Sequence, residues 1–402
     1  MDTNRFQSLS DSSAGWLNYV CIWSMGFFIP LSTTMVSAVM PIVVFLLWIK
    51  FGGWRGLIWQ VKNCRITKFS LGLFCWMAAS GLFWGGGWES LALLKKYREL
   101  LLIPILISLM AGWGQGKRQD VASGLIYGLI ATLIISILQL LGFIPLKNGA
   151  PAMSSTLTQA ALMSWAMFWA LHQYNQSRNW MWLIGAILLA VNATLIMNAS
   201  TGIVLVLSLL FLFTIQMANK RVLALAVIII FVGLGLAYLL SPAFKSEAEE
   251  VRNVAAQVLS GKQPEPKIMA SSTDERYQFL YNGLGLFFNK PLIGHGFGNL
   301  ESEYDQLIKG TNFKPTTNLH NEYLMIGAQA GMIGLFLLGG LMWALYKLCV
   351  SKGQFDRWMI QGLLIWMTVG CCINSVLMDA REGMLFAFLV SVYGANNVTK
   401  QA

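Results

Sequence analysis

Long apolar runs separated by short polar punctuation recur along almost the whole chain. A run of about 20 apolar residues matches the length of a bilayer-crossing helix, the element that satisfies its own backbone polar groups in lipid. The pattern predicts twelve spans, over 15–30, 32–49, 69–86, 92–112, 121–141, 156–173, 180–197, 202–218, 222–240, 320–346, 358–378 and 383–398. An even number puts both termini on one side. One segment breaks the pattern, since residues 241–319 are polar and carry eight basic and nine acidic side chains. A connection of that length needs structure of its own. Ser241-Pro242 is a cap and first-turn pair, and Phe244, Ala248, Val251, Ala255 and Val258 recur at helical spacing up to Ser260-Gly261. A second loop helix is expected from the capping box Ser272-Thr273-Asp274-Glu275 to Asn289, where Lys290-Pro291 ends it. The expected organisation is nine spans over 1–240, one large loop over 241–319, and three spans with a short tail over 320–402.

Composition sharpens this picture. Of 402 residues, 56% are hydrophobic and only 11% charged, against about 25% charged in ordinary soluble domains. A soluble globular enzyme is excluded. A β-barrel would show short alternating segments in place of long apolar runs. The net charge of +10 is scattered among short loops, with no interleaved basic and aromatic patch, so no nucleic acid partner is expected. With the N-terminus inside, the inner segments hold 15 of the 28 basic residues, including the dense group Lys50, Arg55, Lys62, Arg65 and Lys68. The short outer segments hold Lys95, Lys96, Arg98, Lys147 and Arg381. That distribution follows the positive-inside rule and places the large loop outside. The six cysteines lie mostly inside apolar runs without a CxxC pair, so neither a disulfide nor a metal site is expected. The N-terminus lacks a small-residue cleavage site and does not read as a cleaved signal peptide.

Charges near a bilayer are costly and tend to mark function. Lys95 and Arg98, at the start of the fourth span, are three residues apart and share a helix face, with Lys96 rotated away by about 100°. Turned into the bundle, that face is an anion site; turned outward, it snorkels to lipid phosphates. A similar argument applies to Asp379, Arg381 and Glu382 in the last outer turn, where the bland alternative is an interfacial ion-pair cluster. In the loop, Arg276 falls in the first turn of the second predicted helix, and a Pro- and Gly-rich stretch follows over 289–298. His320 opens the tenth span. A histidine in a first turn feels the positive end of the helix dipole, which favours a neutral, proton-accepting imidazole. The bland alternative is a polar belt residue. That reading suits His172, in the expected inner loop beside Tyr174, and His295 fits either role.

Together, Arg276, Asn289-Lys290-Pro291-Leu292-Ile293-Gly294-His295-Gly296-Phe297-Gly298, His320-Asn321-Glu322-Tyr323-Leu324 and Ala328-Gln329-Ala330-Gly331-Met332-Ile333-Gly334 resemble the signature of the bacterial O-antigen ligase and polymerase superfamily. The close likeness spans about 273–335; the wider one is architectural. The resemblance implies an all-α, polytopic, GT-C-like glycosyltransferase of the bacterial inner membrane, with its active site facing the periplasm and no metal or other cofactor. Its implied partners are an undecaprenyl diphosphate-linked glycan, a sugar hydroxyl of the lipid A core oligosaccharide, and membrane lipids. His320 is then the candidate base for hydroxyl attack on the anomeric carbon. Arg276, with Lys95, Arg98 or Arg381, would meet the departing diphosphate, and Asn321 and Tyr323 complete the expected substrate contacts. One departure stands out. Many members carry a Ser-Arg pair where this chain reads Asn198-Ala199-Ser200-Thr201-Gly202, so Lys95, Arg98 or Arg381 would have to compensate.

An O-antigen ligase is the leading reading. A polymerase shares the donor and differs in the acceptor. A protein O-glycosyltransferase usually carries a further periplasmic extension. A transporter would place ionisable residues near the midplane, often in repeat-related halves, whereas here charge gathers at one face.

Overall fold

The computed structural model describes residues 13–217 except Asn148, residues 272–395, and isolated positions between 235 and 260. The expected ninth span and the expected first loop helix lie largely outside the described residues.

All regular elements among the described residues are helical. In chain order they are α1 (Ser13–Phe28), a π turn (Met35–Val39) leading into α2 (Met40–Lys50), α3 (Leu57–Asn63), α4 (Arg65–Trp84), α5 (Trp88–Leu94), a 3-10 turn (Lys95–Tyr97) and α6 (Glu99–Leu109). There follow α7 (Gln115–Leu140), α8 (Thr156–Ser177), α9 (Trp180–Val191) with a π turn (Asn192–Ile196), and α10 (Ser200–Met217). The last group is α11 (Ser272–Asn289), α12 (Leu300–Leu307), α13 (Glu322–Val350), α14 (Gln354–Ile373) and α15 (Ala380–Gly394). Of these, α4, α7, α10 and α13 are long and apolar enough to cross a membrane; Met35–Lys50, Glu99–Leu109 and Trp180–Ile196 are apolar but shorter.

The expected fourth span is not one helix. Arg98 Nη1 donates to the Lys95 carbonyl at 2.6 Å, an oxygen that a continuing α-helix would offer to residue 99. The chain tightens into its 3-10 turn there, and α6 begins afresh at Glu99.

The last helix lies at the centre of the packing. Arg381 to Gly394 are all buried, as suits a helix apolar around its whole circumference, and α15 packs on α6, α7, α8 and α14. Close approach elsewhere depends on small residues: Gly124 and Gly128 of α7 lie against the Trp23 and Phe27 carbonyls of α1. Polar side chains also tie helices together. Asn192 Nδ2 donates to Ser136 Oγ at 2.8 Å, and Gln159 Nε2 donates to Asn192 Oδ1 at 3.2 Å.

The element that positions the candidate site is α13, and it is broken. Gly331 has φ 66° and ψ −164°, a conformation open in practice only to glycine. The break frees backbone groups that cannot stay unpaired in an apolar setting. The Gly-rich stretch before α12 pairs with them: His295 and Gly296 N–H donate to the Ala328 and Gln329 carbonyls at 2.8 and 3.0 Å. In the other direction, Met332 and Ile333 N–H donate to the Pro291 and Leu292 carbonyls at 2.8 and 3.4 Å. Trp76 Nε1 of α4 donates to the Ala330 carbonyl at 2.8 Å, and Gln329 Oε1 accepts from Gly298 N–H at 2.9 Å. Gly294 has φ 73°, and a Cβ there would strike the Gln329 and Ala330 backbone, as one at Gly331 would strike Leu292. The two sequence motifs are thus halves of one backbone joint. Gly331→Ala is expected to lower stability by about 1–3 kcal/mol or more from strain alone, whereas Gly339→Ala, facing open space, gains about 0.5–1 kcal/mol of helix preference. Thermal unfolding of the two variants in detergent checks the contrast.

Candidate functional site

Arg276 and His320 meet at one cavity. Helix α11 carries Arg276 in its first turn and Phe279 three residues on, so both share a face. The chain after α12 is clamped onto α11: Gln278 Nε2 donates to the Lys314 carbonyl at 2.8 Å, and Lys314 Nζ pairs with Glu275 Oε1 at 2.7 Å. Gln278 and Asn282 also donate to the buried Tyr304 hydroxyl at 3.0 and 3.1 Å. His320 then stacks on Phe279, with ring centroids 6.0 Å apart and planes 26° from parallel. The cavity, of about 220 Å³, is lined by Thr273, Arg276, Tyr277 and Leu280 of α11, by Leu319, His320 and Asn321, and by Cys372 and Ile373 at the end of α14.

His320 does not lie in a first helical turn. The helix starts at Glu322 with Asn321 as its cap, and His320 precedes it with φ 51°. That left-handed conformation is held from several directions. Its N–H donates to Asn318 Oδ1 at 2.9 Å, and the same oxygen accepts from Ser375 Oγ at 2.7 Å. Fully buried Glu322 accepts from Tyr97 Oη at 2.9 Å and from Leu377 N–H at 2.8 Å. The neutral imidazole expected from the helix dipole therefore has other causes. Burial and then the nearby Arg276 guanidinium push its pKa below the ordinary histidine value, with Asn374 and Glu275 opposing them and Lys314 adding to them.

The other expected site residues are placed differently. Asn321 lines the cavity, but its side chain is engaged in the fold: Oδ1 caps Leu324 N–H at 3.0 Å and Nδ2 donates to the Cys372 carbonyl at 3.0 Å. Tyr323 Oη donates to the Thr368 carbonyl of α14 at 3.2 Å and does not line the cavity. Lys95 is exposed and Arg98 pairs with the buried Glu99 at 3.3 Å. Residues three apart still share a face in a 3-10 turn, but neither Lys95 nor Arg98 lines the Arg276–His320 cavity. Lys96 is the member of this group that lines a cavity, of about 150 Å³, with Tyr97, Phe297, Glu301 and Thr317. Arg381 is buried, donating to Thr33 Oγ1 at 3.0 Å and to the Pro30 and Met153 carbonyls at 2.6 and 3.3 Å. Thus Lys95, Arg98 and Arg381 are not among the residues lining the Arg276–His320 cavity.

The remaining histidines are structural in their contacts. His172 is buried at the end of α8, not in a loop, stacked on Trp358 at 4.9 Å and bonded to Gln216 at 2.9 Å. His295 faces the Leu286 carbonyl and Glu303, each at 2.9 Å. Sequence reasoning missed Thr273 and Tyr277, although both lie in or beside the capping box.

Residues 184–339, which include α10, α11, α12, Arg276 and His320 of the cavity and the Gly331 joint, match the family model described as Wzy_C: O-Antigen ligase. The match, over 156 of the 402 residues, supports membership of the O-antigen ligase/polymerase superfamily. No curated protein matches the chain. Membership supports a function of the O-antigen ligase or polymerase type, a glycosyltransferase-like activity in a membrane protein. Within this member, Arg276→Gln is expected to raise the His320 pKa, because a positive neighbour is removed while burial persists. Nitrogen-15 NMR titration of labelled histidines, three in all, with His320 assigned by its deletion, checks the sign.

Proposed function

We propose that the protein is an O-antigen ligase, an inverting glycosyltransferase moving a glycan from undecaprenyl diphosphate to a sugar hydroxyl of the lipid A core. The single observation that carries this reading is the pairing of Arg276 and His320 in one cavity within the family segment. His320 takes the proton as the acceptor hydroxyl attacks the anomeric carbon. The bond from that carbon to the diphosphate oxygen breaks, and Arg276 meets the charge left on the departing undecaprenyl diphosphate. Basic side chains then do what a divalent cation does in many sugar transferases. Lys95 and Arg98, flanking Lys96, supply further positive charge for the lipid-linked donor, while Asn321, Tyr323 and Arg381 hold the framework around it. The positive-inside distribution supports twelve spans in the bacterial inner membrane and a periplasmic site.

Polymerase activity shares every step except the acceptor. Purified protein given an undecaprenyl diphosphate glycan, with either lipid A core or a second donor molecule as acceptor, separates them: product on the core marks a ligase, and a longer glycan on the carrier marks a polymerase. His320→Ala is expected to lower transfer by about 10²–10⁴-fold, the span of general-base contributions, with the protein still folded and inserted. Undiminished transfer by that variant would remove His320 from the chemistry.

A further inference from the structure

Away from the candidate cavity, two cations share one aromatic ring. Arg65, the first residue of α4, places its guanidinium carbon 5.0 Å from the ring centroid of Trp343 in α13. Lys347, one turn further along α13, places Nζ 5.8 Å from the same centroid. Phe69 of α4 meets that ring edge to face, with centroids 6.5 Å apart. Attraction to the ring thus holds two like charges close together. Local helix physics accounts for only one of them. A lysine in the last turn of α13 suits the negative end of its dipole, whereas an arginine at the start of α4 sits at the positive end, where a cation is disfavoured. No carboxylate answers either charge: the chain has no Asp or Glu from Phe51 to Trp88 or from Tyr323 to Phe355, and among the described residues neither cation has an ion-pair partner.

The surface beside them is apolar. Met332, Phe336, Trp343, Tyr346 and Val350 are exposed and recur at helical spacing, so they form one stripe along the outer face of α13, and Lys347 stands on its edge. Both α4 and α13 are long and apolar enough to cross a membrane. Lys347 lies about 24 Å beyond the Gly331 break at 1.5 Å per residue, at the opposite end of α13 from the Arg276–His320 cavity. An apolar face that ends in paired cations matches an amphiphile with an anionic head. A free anion would meet the charges and have no use for the stripe.

We propose that Arg65 and Lys347, gathered on Trp343, bind the phosphodiester head group of an anionic phospholipid whose acyl chains lie along the stripe from Met332 to Val350. The guanidinium meets the phosphate oxygens as a fork and the ammonium meets them as a point charge. The site does not depend on how the Arg276–His320 cavity is read.

The test is native mass spectrometry of the purified full chain, delipidated and then supplied with phosphatidylglycerol or phosphatidylcholine of the same chain length, alongside thermal unfolding. Phosphatidylglycerol is expected to bind more tightly and to raise Tm further than phosphatidylcholine. Arg65→Gln and Lys347→Gln are each expected to weaken its binding about fivefold, and the double variant about 25-fold, the worth of one and two basic side chains beside an anionic lipid surface. Both side chains are exposed, so these variants fold. A control pair, Lys50→Gln with Arg178→Gln, removes two other exposed cations and is expected to leave the preference intact. Equal loss in the control pair would assign the effect to net charge and overturn the site, as would an undiminished preference for phosphatidylglycerol in the Arg65 and Lys347 double variant. Inorganic phosphate is expected to leave Tm unchanged; a rise matching that with phosphatidylglycerol, and lost in the double variant, would mark a bare anion site and overturn the lipid assignment.

Discussion

A broken helix in an apolar surrounding must have its backbone hydrogen bonds made good elsewhere, and the architecture around the candidate site follows from that constraint. At Gly331 the Ala328, Gln329 and Ala330 carbonyls turn to partners outside α13, as do the Met332 and Ile333 amides. The partners come mainly from residues 291–296, which are thereby fastened to α13 on one side and to α4 through the Gly85 region on the other. Helix α11 ends just before that stretch, so the joint also fixes where Arg276 is delivered. Glycine at 294 and 331 is the condition for the two backbones to approach so closely.

The short arm of α13 ahead of the break projects toward α14 and carries His320 at its entry. What holds this arm is a buried carboxyl group with two attachments: Glu322 binds Tyr97 beside α6 and Leu377 in the turn before α15. Burying such a group is favourable only when its oxygens are satisfied, so the three segments are bound to meet there. The left-handed backbone at His320 is tolerated because its neighbours over-determine it. The cavity is then closed by α11 on one side and the end of α14 on the other, with the imidazole against the aromatic face of Phe279.

Much of this was legible along the chain, for physical reasons that can be named. Hydropathy marks helices because burial in lipid demands both apolar side chains and internal backbone pairing; helices stand over each expected span whose residues are described, and α11 runs between the expected capping box and Lys290-Pro291. Arg276 and His320 stood out because each lies at an expected helix start, one after the capping box and one where the loop re-enters the membrane, within motifs that resemble the family signature. Lys95 and Arg98 keep one face through the 3-10 turn, but spacing along a helix does not say which cavity that face meets, and it does not meet the Arg276–His320 cavity. Arg381 was a candidate for the diphosphate because sequence does not reveal which carbonyls lie within reach of a guanidinium.

By itself the sequence determined the class of protein, the run of helices and the two groups at the centre of the cavity, since these depend on composition, spacing and local stop signals. Tertiary structure alone decided which cations share that cavity, what lowers the pKa of the imidazole, and what Glu322 ties together. Those properties arise from desolvation and from contacts between segments far apart in the chain, such as Tyr97 with Glu322 and Asn318 with Ser375. No periodicity or local motif encodes such a meeting; it exists only after the helices have packed.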